Sequence, residues 1–148
     1  MNHKLNKKKG FTLAELLLSL ALFGAIVGLS APLTQSFLFQ REVESATNMI
    51  VSASRTAQNK SISNENESRW GVYIEQDQVT IFAGDTYTTR DTAEDITLLY
   101  EGTVTITGLG EVVFTQIDGF PQTTGTLQVT RNQIDNTIEF NEKGAIFY

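Results

Sequence analysis

The sequence has no cysteine, and its one histidine, His3, stands among the first ten residues. Without cysteine there is no disulfide framework and no thiolate chemistry. A zinc site, a Ser–His relay and a cysteine nucleophile all lack their usual parts. Basic residues are also scarce beyond the first ten positions. Residues 11–148 carry 7 basic and 17 acidic side chains, a balance of −10. So acidic a chain has no uniform positive field to draw it to nucleic acid. These absences argue against most enzymes and against DNA as a partner, and nothing in the sequence calls for a cofactor.

What is present begins at the N-terminus. Lys4, Lys7, Lys8 and Lys9 precede residues 11–31, a stretch of 21 residues whose single formal charge is Glu15. As a helix it would reach about 31 Å, close to the roughly 30 Å of a bilayer's hydrocarbon. Lysines before it and acids after it place the N-terminus in the cytoplasm and the remainder outside. A secretory signal peptide with a small-residue site at Gly28-Leu29-Ser30 is one ordinary reading. A plain membrane anchor is the other. Glu15 fits neither, because an acid within a membrane helix costs roughly 2.5–3.5 kcal/mol at mid-bilayer and less near an interface. Such a residue needs a partner, and nothing basic inside the stretch supplies one.

Lys-Gly-Phe-Thr-Leu-Ala-Glu-Leu-Leu, at positions 9–17, resembles the class III signal of type IV pilins and type II secretion pseudopilins. The resemblance implies cleavage by a prepilin peptidase after Gly10 and N-methylation of the new N-terminal residue, Phe11. It implies that Glu15 helps dock an incoming subunit by pairing with a neighbour's terminal amine. The implied partners are the peptidase, other pilin or pseudopilin subunits, an inner-membrane assembly platform and, before assembly, membrane lipid. The implied location is the inner membrane as a single pass, then an extracytoplasmic filament. Gly24-Ala25-Ile26-Val27-Gly28 is a G-x-x-x-G pattern that lets helices approach closely. Pro32 removes one backbone donor and favours a kink, or else marks the end of the span.

Beyond Pro32, residues Phe39, Val43, Ala46, Ile50, Ala53 and Ala57 recur at spacings of four and three. Arg41, Glu44, Asn48, Ser52, Arg55 and Asn59 form the opposite stripe, so residues 32–60 read as an amphipathic continuation of the helix. A polar connector occupies residues 61–69. From Trp70 the texture turns to short β runs, with strands expected at 70–74, 79–82, 96–101, 103–107, 112–117, 126–130 and 137–140, and a last short run at 145–148. The domain plan is therefore a basic leader over 1–10, a transmembrane helix over 11–31, its amphipathic half, the connector, and a β-rich domain over 70–148. The fold class is α+β: a long N-terminal helix packed on an antiparallel β-domain, as in pilins.

The first strand, Trp70-Gly71-Val72-Tyr73, and the helix stretch at 41–46 resemble the GspH/FimT group of minor pilins. Some members of that group bind DNA through basic residues near the C-terminus. Here residues 141–148 hold one lysine and no arginine, which argues against that activity. Asp85, Asp91, Glu94 and Asp95 form an acidic loop with the oxygen ligands calcium prefers, though without the spacing of an EF-hand. The alternative to a filament subunit is a membrane-tethered β-domain that binds a ligand or partner without polymerising.

Overall fold

The computed structural model describes residues 10–100 and 102–148, and only the backbone of residues 29–34. One helix, α1, runs over Leu13–Ile62. The chain divides into two compact units, Met1–Phe37 and Leu38–Tyr148.

In the second unit the amphipathic stripe does what its spacing predicts. Val43, Ala46, Ile50, Ala53 and Ala57 are buried, joined by Val51 from the same face. Phe39 is half-buried, with the Arg131 guanidinium 4.6 Å above its ring. The opposite stripe, from Arg41 to Asn59, is exposed throughout. The helix stops where Asn64 enters the left-handed region (φ 53°), a conformation asparagine tolerates. A 3₁₀ turn at Glu65–Glu67 lies within the expected connector.

Among the described residues eight strands follow: β1 Trp70–Ile74, β2 Gln78–Ala83, β3 Asp91–Leu99, β4 Thr105–Gly108, β5 Glu111–Phe114, β6 Gly125–Arg131, β7 Ile134–Phe140 and β8 Ile146–Phe147. They form two antiparallel four-stranded sheets, ordered β3-β2-β1-β5 and β4-β6-β7-β8. The chain changes sheet three times, between β3 and β4, β4 and β5, and β5 and β6. Both sheets feed one core with α1: Trp70, Val72, Val79, Ile81, Val112 and Phe114 from the first, Leu127, Val129, Ile138 and Phe140 from the second.

Two expectations need correction. The acidic stretch is not one loop, because β3 already begins at Asp91, five residues before the expected strand. An edge strand has one side open to water, where acids are cheap and also discourage further pairing. The strand expected over 112–117 ends at Phe114. Residues 115–121 instead fold into a tight loop, closed by Thr115 N–H donating to the Phe120 carbonyl at 2.8 Å.

Polar side chains fasten the helix to this framework. The Ser61 hydroxyl accepts from Trp70 N–H at 2.8 Å and is shared between the carbonyls of Trp70 and Phe114. Trp70 is fully buried, its indole N–H donates to the Glu65 carbonyl at 3.0 Å, and Lys60 Nζ lies 4.1 Å from its ring centre. Gln58 donates through Nε2 to the carbonyls of Gly119 at 2.8 Å and Gly144 at 2.9 Å. One amide thus ties α1 to the loop after β5 and to the β7–β8 hairpin. Gln58→Leu keeps the bulk and removes both donors. Losing two partly buried hydrogen bonds should cost about 2 kcal/mol in a denaturant titration. A loss below about 0.5 kcal/mol would mean that both carbonyls turn to water unaided.

Candidate functional site

The first unit presents the expected processing site in an open position. Gly10 is exposed, and Phe11 is 86% exposed. Thr12 is the residue on which α1 starts, since its carbonyl accepts the first helical bond, from Leu16 N–H at 3.2 Å. Glu15 folds back onto it. Glu15 Oε2 accepts from Thr12 N–H at 2.8 Å and from the Thr12 hydroxyl at 2.8 Å, and Glu15 N–H donates to Thr12 Oγ1 at 3.3 Å. This reciprocal arrangement is a capping box, which satisfies backbone donors that a helix N-terminus leaves free. The carboxylate also sits at the positive end of the helix dipole.

Thr12 stands within the motif at 9–17, but the sequence expectations give it no role of its own. The signal that identifies it is the spacing T-x-x-E ahead of an apolar run. Both Thr12 bonds fall on one carboxylate oxygen, so Oε1 takes neither of them.

Every described side chain from residue 11 to residue 28 is exposed, including Leu13, Leu16, Leu18, Phe23 and Ile26. Among the described residues of the first unit nothing covers this apolar surface. A Cβ placed on Gly24 or Gly28 would meet no atom within 4 Å, so that face is open to close approach by another helix. Among the described residues no helix is long and apolar enough to cross a membrane. The expected span over 11–31 ends in residues whose side chains lie outside those described. The expected kink at Pro32 falls in the same place.

The acidic stretch does not gather into a site. Asp85 pairs with Arg69 at 2.9 Å, and Asp95 accepts from Arg90 Nε through both oxygens, at 3.0 and 2.8 Å. Among the described residues no three His, Asp or Glu side chains come together as a metal ion would need.

With this geometry in place, the comparisons bear on the same residues. The family model for the prokaryotic N-terminal methylation motif matches residues 5–31. No curated protein and no solved structure matches the chain. The matched stretch holds Gly10, Phe11, the Thr12–Glu15 box and both glycines. A motif of this kind supports a type IV pilin-like precursor, a prepilin substrate that is membrane-anchored and then assembled with other pilins. Its bearers are structural proteins rather than enzymes.

Proposed function

We propose that this chain is a minor pilin or pseudopilin, of the GspH/FimT kind, in a type IV pilus or type II secretion-like filament. A prepilin peptidase cuts after Gly10, and Phe11 is N-methylated. Residues 11–31 hold the precursor in the inner membrane, N-terminus inside, until the assembly platform extracts it. Glu15 then pairs with the terminal amine of a neighbouring subunit, and Gly24 and Gly28 ease helix packing.

The observation that carries this reading is the methylation motif over residues 5–31. The long helix supports it. Its second half is packed in a β-domain, while its first half is apolar and exposed and so requires lipid or other subunits. The capping box adds a chemical reason for Thr12 beside Glu15.

Mass spectrometry of the mature N-terminus tests the proposal. The expected chain begins at Phe11 and carries one additional methyl group. A chain that begins at Ala31 would assign residues 1–30 to an ordinary signal peptide. An intact Met1 would favour the membrane-tethered β-domain.

A further inference from the structure

The edge of a sheet is a row of backbone donors and acceptors that another chain can complete. Among the described residues the two sheets have four edge strands, and three of them are blunted. β5 is covered by the chain that follows it: Phe114 bridges to Pro121, and Gln122 N–H donates to the Val113 carbonyl at 2.8 Å. β4 is capped by a side chain that imitates a strand. Gln76 Oε1 accepts from Ile106 N–H at 2.9 Å, and Gln76 Nε2 donates to the Ile106 carbonyl at 2.7 Å. β8 is only two residues long.

β3 is the exception, nine residues long and bonded on one side only. Its first half is set off from β2 by a shift in register, and Arg90 holds Asp95 there. Its second half is regular, with Gln78, Val79, Thr80 and Ile81 opposite Leu99, Leu98, Thr97 and Ile96. Antiparallel pairs alternate between those that exchange both backbone bonds and those that exchange none. Tyr100 N–H donates to the Asp77 carbonyl at 3.0 Å, which fixes the phase. Leu98 and Ile96 are the bonded residues, and the N–H and C=O groups of Thr97 and Leu99 point away from β2. Leu99 is 66% and Ile96 40% exposed, on opposite faces of the strand.

The charge around this row has one sign. Asp77 and Asp91 are exposed and Glu94 is half-buried, and among the described residues no basic side chain pairs with them. The neighbouring cation, Arg90, is taken by Asp95. A second copy of this chain would bring the same acids to the row, and like charges across paired strands destabilise them. A strand bearing lysine or arginine meets the opposite case.

We propose that β3 is a docking edge for an extended, basic segment of a different protein, which adds to the sheet beside Thr97 and Leu99. Main-chain bonds to these two residues set its register, and Leu99 and Ile96 add apolar contact on either face. The acids at the two ends of the row select for positive charge and against self-association. The contact serves a filament subunit and a tethered β-domain alike, so the mass of the mature N-terminus does not decide it.

The probe is a capped peptide, Lys-Lys-Val-Thr-Val-Lys-Lys, titrated into the full-length chain in a zwitterionic detergent. Amide hydrogen exchange is read residue by residue by NMR. Exchange at Thr97 and Leu99 should slow at least about tenfold, while Ile96 and Leu98, already bonded to β2, change little. The same peptide with glutamate for lysine should give no protection. Thr97→Pro removes only an outward donor, a position where an edge strand tolerates proline, and should abolish protection at Leu99. Leu99→Lys leaves the backbone unaltered and places a like charge against the peptide, so it should lower the protection about tenfold whether or not the proline variant folds.

Absence of protection, equal protection by the acidic peptide, or protection unchanged by Leu99→Lys would each overturn the proposal. So would slowing spread evenly over the β-domain, which marks general stabilisation. Protection of Thr97 and Leu99 that rises with protein concentration, without peptide, would make a second copy the occupant and overturn it as well.

Discussion

Glu15→Ala leaves cleavage after Gly10 largely intact and lowers the share of this chain recovered in filaments at least about tenfold. An ammonium and a carboxylate about 4 Å apart attract by roughly 4 kcal/mol at an effective dielectric near 20. That offsets the roughly 2.5–3.5 kcal/mol of holding the acid at mid-membrane depth. Alanine removes the attraction and the penalty together, so the precursor inserts at least as well while the docked state loses its contact. The geometry permits the pairing without dismantling the cap, because Thr12 occupies Oε2 only. The same geometry supplies a rival account, in which alanine acts by fraying the first turn of α1. Loss of a capping residue costs about 1 kcal/mol.

Glu15→Gln separates the two, since glutamine can serve in a capping box but carries no charge. If glutamine fails as alanine does, the charge is what filaments require. If glutamine supports normal recovery, the cap is the function and subunit pairing is not. Immunoblots of sheared filaments against the membrane pool, with processing followed by the shift in mass, read both quantities. Normal recovery of the alanine variant would remove both accounts.

The helix was legible because its periodicity is local. Val43, Ala46, Ile50, Ala53 and Ala57 lie on one stripe whatever the strands do, and burial follows from the stripe. The strand at 70–74 was legible for the same reason, and Trp70, Val72 and Ile74, at every second position of it, are buried in the core. The split into two sheets was not, because each change of sheet happens in a short connection whose residues do not specify a destination. Leu109 and Gly110 between β4 and β5 could equally have closed a hairpin. Ile117 was misleading in a different way. Its β-branched side chain favours a strand, yet the hydrogen bonds of residues 115–121 and the Ser61 carbonyl hold it in the region least suited to it. The capping box is the reverse case, fully written in four residues. Its local role is additional to the one that the prepilin resemblance gives the same glutamate.

Gly71→Val should be among the most damaging substitutions in the β-domain, costing about 3 kcal/mol or more. Gly71 pairs with Phe82 on β2 and with Val113 on β5. A Cβ there would lie 2.8 Å from Phe82 Cζ, 2.9 Å from the Val112 carbonyl oxygen and 3.0 Å from Val113 Cγ2. The carbonyl belongs to the β1–β5 ladder and cannot retreat without breaking it. Phe82 cannot retreat either, because it is fully buried outside the main core. Tyr87 meets it edge-on at 5.6 Å and stacks on Tyr73 at 3.8 Å, and the Arg90 guanidinium lies 3.7 Å from the Tyr87 ring.

The segment over 84–90 thus covers the middle of the sheet's outer face, pinned by Tyr87 N–H donating to Glu111 Oε1 at 3.0 Å. A valine would push Phe82 into this cover, and overpacking of that kind costs 1–3 kcal/mol before any ladder bond is lost. Denaturant titration of Gly71→Ala, Gly71→Val, Phe82→Leu and the valine–leucine double variant checks the mechanism. Shortening the ring should recover part of the valine penalty, giving a coupling of about 1 kcal/mol. Strictly additive losses would show that Phe82 is not the obstacle. Because this sheet is buried on both sides around Gly71, its centre offers no surface to another subunit.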